Sequence, residues 1–463
     1  MPLPMSPLDS MFLLGESREH PMHVGGVEIF QLPEGADTYD MRAMLDRALA
    51  EGDGIVTPRL AKRARRSFSS LGQWSWETVD DIDLGHHIRH DALPAPGGEA
   101  ELMALCSRLH GSLLDRSRPL WEMHLIEGLS DGRFAVYTKI HHAVADGVTA
   151  MKMLRNALSE NSDDRDVPAP WQPRGPRPQR TPSKGFSLSG LAGSTIRTAR
   201  ETVGEVAGLV PALAGTVSRA FRDQGGPLAL SAPKTPFNVP ITGARQFAAQ
   251  SWPLERLRLV AKLSDSTIND VVLAMSSGAL RSYLEDQNAL PAEPLIAMVP
   301  VSLKSQREAA TGNNIGVLMC NLGTHLREPA DRLETIRTSM REGKEAYGSM
   351  TATQILAMSA LGAAPIGASM LFGHNSRVRP PFNLIISNVP GPSSPLYWNG
   401  ARLDAIYPLS VPVDGQGLNI TCTSNDDIIS FGVTGCRSAV PDLKSIPARL
   451  GHELRALERA VGI

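Results

Sequence analysis

Two adjacent histidines are the residues of this sequence that are best suited to chemistry. His141 and His142 end a largely apolar run, and Asp146 and Gly147 follow shortly after them. An imidazole has an ordinary pKa of roughly 6.5, so near neutral pH it can take a proton from a hydroxyl and later return it. It can do so efficiently only if it is held in one tautomer and one rotamer. The pattern therefore indicates a positioned general base, although a histidine pair at a strand end can also be purely structural.

Strand alternation predicts different roles for the two histidines. In a strand that ends at His141, successive side chains face opposite sides of the sheet, so His142 leaves on the other side and the pair is poorly placed to share a metal. We interpret His142 as the base and His141 as its structural partner. Asp146 is expected to be the N-cap of a following helix. Gly147 has no side chain and would let a substrate approach the backbone.

The pattern His-His-x-x-x-Asp-Gly resembles the signature of the coenzyme A-dependent acyltransferase superfamily, which includes chloramphenicol acetyltransferase. Further stretches resemble, in order and rough spacing, the bacterial wax ester synthase/diacylglycerol acyltransferase family. These stretches are residues 7–13, 20–26, 118–122, 269–270, 300–302, 312–314 and 387–392. The resemblance covers nearly the whole chain and thins only in its middle.

This resemblance implies an α/β fold of two chloramphenicol-acetyltransferase-like domains, each a mixed sheet flanked by helices, with a substrate tunnel between them. It implies transfer of a fatty acyl group from acyl-coenzyme A to diacylglycerol or a long-chain alcohol, with His142 at mid-channel. It also implies an oxyanion donor from the second half, for which Asn269 is our first candidate and Asn388 our second. Asp270 supports either the site or the local fold. Asp146 is expected to point away from the reacting atoms.

The elements that must position these residues alternate between strands and helices, as in mixed α/β domains. We predict an N-terminal acyltransferase domain over residues 1–160 and a C-terminal acyltransferase-like domain over residues 246–463. Residues 161–245 read as a proline-rich linker followed by an amphipathic helical segment. That segment is interpreted as a packed helix, with a helix lying on a membrane surface as the alternative.

Composition limits the classes of function. The chain has 463 residues, 42% hydrophobic and 20% charged, with a net charge of −2, which argues against a nucleic-acid partner. The four cysteines are expected to be buried thiols. No secretory signal is evident, and the apolar stretch 355–372 is interrupted by Pro365, so we expect a buried helix there rather than a membrane span. The expected location is the cytoplasm, with peripheral contact to the inner face of the membrane or to lipid droplets.

The sequence has no Gly-x-Ser-x-Gly elbow, Walker loop, Gly-x-Gly-x-x-Gly or His-Glu-x-x-His motif. We therefore expect chemistry without a protein-bound metal or cofactor, with acyl-coenzyme A as co-substrate. Three alternatives remain open. They are an acyltransferase for a polyketide or other carrier-delivered hydroxyl, a non-catalytic lipid-binding protein of the same fold, and a metal-dependent hydrolase.

Overall fold

The computed structural model describes residues 3–50, 55–66, 73–174, 231–302, 315–348 and 379–463. Most of the predicted linker and its amphipathic segment lie outside these ranges. The stretches 312–314 and 355–372 lie outside them as well, so the expectations for all of these stay predictions.

The first half of the described chain alternates between strands and helices much as predicted. Its elements are β1 (Leu3–Pro4), α1 (Pro7–Gly15), β2 (His23–Gln31), α2 (Thr38–Ala50), β3 (Lys62–Arg66), β4 (Trp74–Thr78), α3 (Leu84–His87), β5 (Ile88–Ala92), α4 (Glu99–His110), β6 (Trp121–Glu127), β7 (Phe134–His141) and α5 (Gly147–Ala157). The strand β7 ends at the first histidine, as expected.

The second half follows the same pattern. Its elements are β8 (Arg245–Pro253), α6 (Leu254–Leu263), α7 (Ile268–Asp286), β9 (Ile296–Ser302), β10 (Ile315–Asn321), α8 (Pro329–Gly348), β11 (Leu384–Val389), β12 (Tyr397–Trp398), β13 (Ala401–Leu409), β14 (Leu418–Asn425), β15 (Ile428–Cys436), a 3₁₀ turn (Leu443–Ser445) and α9 (Ile446–Ala460).

The strands form two six-stranded mixed sheets and one small sheet. The first large sheet has the order β12-β13-β2-β7-β6-β5, and the second has the order β10-β9-β11-β14-β15-β8. The small sheet has the order β1-β4-β3. In the first large sheet β5 and β6 are parallel, and in the second β11 runs parallel to β9 and β14, while the other pairs are antiparallel. Two mixed sheets with flanking helices confirm the predicted α/β fold class.

The histidine sheet is completed by a strand from the last third of the chain. β13 pairs antiparallel with β2, with a register shift between Leu403 and Ala405. The sequence reading placed no strand there, because the irregular register and Pro408 break the simple alternation that marks a strand. The sheet that carries His141 therefore combines strands from the predicted N-terminal domain, residues 1–160, with strands from the predicted C-terminal domain, residues 246–463.

Apolar side chains fill separate cores on the two large sheets. The core of the second sheet surrounds α7, whose residues 270–280 are all buried. The four cysteines are buried and free, as expected. Within the described ranges, every helix is too short or too polar to span a bilayer.

Candidate active site

His142 is the first residue beyond β7. His141 still pairs with His23 of β2, and the backbone amide of His142 then donates a hydrogen bond of 2.8 Å to the carbonyl of Met22. The His142 side chain is half-buried. The backbone of residues 141 and 142 is thus held by β2 and by the Met22 carbonyl, while part of the His142 side chain stays exposed.

Phe12 of α1 fixes the plane of the His142 ring. The helix starts at Pro7, and the Ser6 hydroxyl caps it by accepting a hydrogen bond of 3.1 Å from the amide of Asp9. The Phe12 and His142 rings stack with centroids 4.1 Å apart and an interplanar angle of 20°. Burial lowers the pKa of His142 below its ordinary value, and His141 lowers it further. The ring is therefore neutral at pH 7 and able to accept a proton.

His141 lies on the opposite side of the strand and is fully buried. Its Nδ1 accepts a hydrogen bond of 3.1 Å from the amide of Ala143, so the ring proton resides on Nε2. That Nε2 is 3.4 Å from a carboxylate oxygen of Glu16. His141 therefore ties the turn after β7 to the segment between α1 and β2, which supports a structural role.

Glu16 has a buried side chain that the sequence analysis did not single out. One of its carboxylate oxygens accepts a hydrogen bond of 3.1 Å from the Met22 amide, and the other accepts one of 2.9 Å from Arg116. Burial alone would raise the pKa of Glu16, but the contacts with His141, Met22 and Arg116 outweigh it and lower the pKa. The sequence offered no specific signal for it, because Glu16 and Glu19 both lie between the stretches 7–13 and 20–26 that resemble the family.

Asp146 and Gly147 begin α5. Asp146 is its N-cap, as predicted, and its Oδ1 accepts a hydrogen bond of 2.7 Å from the Thr149 amide. A Cβ added to Gly147 would lie 3.4 Å from a methyl group of Val389. The structure thus places β11, a strand of the second sheet, beside Gly147. The sequence analysis expected a substrate to approach the backbone at this glycine.

The candidates in the second half lie at two different places. Asn388 is half-buried at the end of β11, next to Val389 and hence beside the start of α5. Asn269 is half-buried in the first turn of α7, whose packing partners include α6, α8 and α9. Asp270 forms a capping box with Thr267, since its Oδ2 accepts hydrogen bonds from the Thr267 amide at 2.9 Å and hydroxyl at 2.7 Å. This geometry gives Asp270 a clear part in the local fold.

A second acidic residue also escaped the sequence analysis. Glu28 lies on the sheet face opposite to His141, which is the face toward which His142 departs. Its carboxylate oxygen is 3.3 Å from the hydroxyl of Thr138, a half-buried residue in the middle of β7. Burial raises the pKa of Glu28 to about 8, so the side chain is mostly protonated at pH 7. This face of the sheet therefore carries a neutral polar pair beyond the histidine.

The fold itself defines the class of protein. Two mixed sheets flanked by helices are a fold that this chain shares with condensation domains. One such structure is the first condensation domain of the CDA synthetase, which matches with a TM-score of 0.57 and 18% identity over 100% of this chain and 97% of that one. At this identity the likeness concerns the fold alone.

The chain belongs to the wax ester synthase/diacylglycerol acyltransferase family. The family's catalytic-domain model matches residues 5–272, and its C-terminal-domain model matches residues 311–458. A putative diacylglycerol O-acyltransferase of Mycobacterium bovis is 48% identical over 99% of this chain and 91% of its own length. The wax ester synthase/diacylglycerol acyltransferase of Marinobacter aquaeolei matches with a TM-score of 0.77 and 38% identity, covering 99% of this chain and 100% of that one. The predicted family and enzyme class are thereby confirmed.

Proposed function

We propose that this acyltransferase moves a fatty acyl group from acyl-coenzyme A to the hydroxyl of diacylglycerol or of a long-chain alcohol, with His142 as the general base. The observation that carries the proposal is the neutral, half-buried imidazole of His142, which stacks on the Phe12 ring while the Met22 carbonyl holds the backbone amide of the same residue. The names of the relatives support both kinds of acceptor.

The reaction needs one proton shuttle. His142 takes the hydroxyl proton as the acceptor oxygen attacks the thioester carbonyl carbon. The tetrahedral intermediate then collapses, the carbon–sulfur bond breaks, and the thiolate of coenzyme A takes the proton from His142. These reaction steps need no covalent enzyme intermediate and no protein-bound metal or cofactor. The two substrates would meet in a tunnel between the large sheets, each entering from its own side.

The intermediate also needs a hydrogen-bond donor for its oxyanion. Asn388 is the candidate whose strand lies beside the histidine turn, since a Cβ on Gly147 would lie 3.4 Å from the neighbouring Val389. Asn269 is the alternative. The proposed location is cytoplasmic, with contact to a membrane or lipid-droplet surface where such acceptors reside.

The test is acyl transfer from radiolabelled acyl-coenzyme A to diolein and to hexadecanol by His142→Ala. We expect a loss of about 10²- to 10⁴-fold, because a positioned base contributes that much. His86→Ala, in the other His-His pair of the chain, is the matched control and should keep the parent rate. A His142→Ala rate within a few-fold of the parent would remove the mechanism.

The same assay tests the oxyanion donor. Loss of one donor typically costs about 10²- to 10³-fold in kcat, so Asn388→Ala should fall in that range and Asn269→Ala should lose less. A larger loss in Asn269→Ala than in Asn388→Ala would assign the oxyanion donor to Asn269.

A further inference from the structure

A strongly basic strand borders the candidate active site. Residues 59–66, which include β3, contain the five cations Arg59, Lys62, Arg63, Arg65 and Arg66. The carboxylate of Glu77 in β4 bridges two of them, Arg63 and Arg65, each at 2.6 Å. The small sheet therefore carries an excess of positive charge.

This charge lies next to two tryptophans that are partly buried against the apolar core. In the register of the sheet, Arg66 pairs with Trp74, and the Arg66 guanidinium lies 5.3 Å from the centroid of the Trp74 ring. Trp74 and Trp76 are both half-buried. Asp80 and Asp81 follow the opposite end of β4, where Lys62 pairs with Thr78. Arginine with tryptophan is the combination that suits the interface between water and lipid.

The helix α1 adds an exposed apolar side. Met11 and Leu14 are three residues apart, so they lie on one side of the helix, and they are 42% and 52% exposed. Neighbouring Phe12 stacks on His142 instead. In water, two large apolar side chains exposed on one helix turn add no stability. A lipid surface would cover them.

One loop joins α1 to the basic strand. Arg116 donates a hydrogen bond of 2.7 Å to the Leu13 carbonyl at the end of α1, and Arg63 of β3 donates one of 3.1 Å to the carbonyl of Ser117. Arg59 also donates a hydrogen bond of 2.7 Å to the Val144 carbonyl, within the turn that follows His142. The basic strand and α1 therefore border both the same loop and the same histidine turn.

We propose that β3, β4 and the exposed side of α1 form a docking face for an anionic lipid surface, which brings the acceptor to the side of the protein where His142 lies. The cations would bind lipid phosphates, and Met11 and Leu14 would enter the interfacial layer. This inference rests on the proposed function for the identity of the acceptor. The exposed apolar residues and the net charge of −2 favour lipid over nucleic acid as the polyanion.

The experiment is flotation of the full-length protein with vesicles of phosphatidylcholine, with or without phosphatidylglycerol. We expect the parent to bind the anionic vesicles preferentially and to be released by salt. Each basic residue near such a surface contributes roughly a five-fold gain in binding. The triple variant Lys62→Gln/Arg65→Gln/Arg66→Gln should therefore bind about 100-fold more weakly, and Met11→Ser/Leu14→Ser should also bind more weakly.

A second exposed apolar pair supplies the matched control. Leu259 and Leu263 on α6 are 39% and 50% exposed. The variant Leu259→Ser/Leu263→Ser removes the same chemistry from the other half of the chain and should bind as the parent does. Circular dichroism would check the fold of each variant, and salt release of the parent tests the proposal even if the triple variant does not fold.

Three outcomes would overturn the docking face. These are equal parent binding to neutral and anionic vesicles, unchanged binding of both face variants, and binding of double-stranded DNA without binding of vesicles. Flotation does not depend on turnover, so His142→Ala should float with the vesicles as the parent does. Failure of the docking face is thereby separated from failure of the proposed reaction.

Discussion

The protonation state of His142 sets the pH range in which the reaction can run. Because burial and His141 lower its pKa below about 6.5, the neutral base persists to more acidic pH than an ordinary histidine. We expect the acid limb of kcat/KM to lie below pH 6.5, with activity falling only as pH drops through the lowered pKa. Kinetics between pH 5 and 8 would measure this, and a limb at or above the ordinary value would contradict it.

The stacked ring offers a control for this pH profile. Phe12→Leu removes the aromatic cover of His142 and admits water, which stabilises the protonated imidazole. The acid limb should therefore move to higher pH in this variant. If the acid limb of Phe12→Leu stays at the parent pH, a group other than His142 controls that limb.

We expect Glu16 to act on the reaction through its neighbours, as a positioning residue. It holds the Met22 amide, while the Met22 carbonyl holds the amide of His142. We expect Glu16→Gln to lower kcat by about 10- to 100-fold with little change in KM, because a small displacement of the base removes much of its benefit. Steady-state kinetics of the variant would measure the split.

Glu19 provides the matched control, since it is exposed and three residues further along the same loop. Glu19→Gln should keep the parent kcat. Equal rates for both variants, or a rise in KM alone for Glu16→Gln, would contradict the positioning role.

At the scale of elements, the start of α5 links stability to catalysis. The carboxylate of Asp146 caps the helix through the Thr149 amide, four residues after the candidate base. Asp146→Ala should lower the free energy of unfolding by about 1 kcal/mol, while Asp146→Asn should retain most of it, because asparagine caps nearly as well. Urea denaturation would measure both.

Another helix tests whether a lost cap harms catalysis by itself. Asp37 caps the first turn of α2 by accepting hydrogen bonds from the amides of Tyr39 and Asp40. Asp37→Ala should also lose stability but keep the parent kcat, whereas Asp146→Ala should lose both. An Asp146→Ala enzyme of normal stability and no activity would give Asp146 a direct chemical role.

At the scale of the whole molecule, β13 couples the two large sheets. It pairs with β2 in the histidine sheet, and its Leu403 carbonyl accepts a hydrogen bond of 2.9 Å from the buried Asn425 of β14. A side chain at Gly432 of β15 would overlap the Pro408 carbonyl of β13. The two sheets therefore approach backbone to backbone at this glycine.

We expect Gly432→Ala to lower the free energy of unfolding by about 1–3 kcal/mol, because the added methyl forces the strands apart. Gly348→Ala is the control, since a Cβ there would have no neighbour within 4 Å. Thermal and urea denaturation would compare them. Equal stability of the two variants would show that the junction accommodates a side chain.

The sequence by itself determined the features that are local along the chain. Strand alternation and the Asp-Gly signal located the end of β7, the divergence of His141 and His142, and the N-cap at Asp146. The motifs also identified the family correctly. Such features depend on residues only a few positions apart, so periodicity and short patterns contain them.

Tertiary structure alone decided what surrounds the histidine. Phe12 stacks on His142, Glu16 lies beside His141, and Arg116 binds Glu16, all from segments far apart in sequence, and β13 enters the histidine sheet from the last third of the chain. No local pattern marks these partners, because their proximity results from loop closure and from the packing of two sheets. The same packing brought Val389, the residue after Asn388, beside Gly147 at the start of α5.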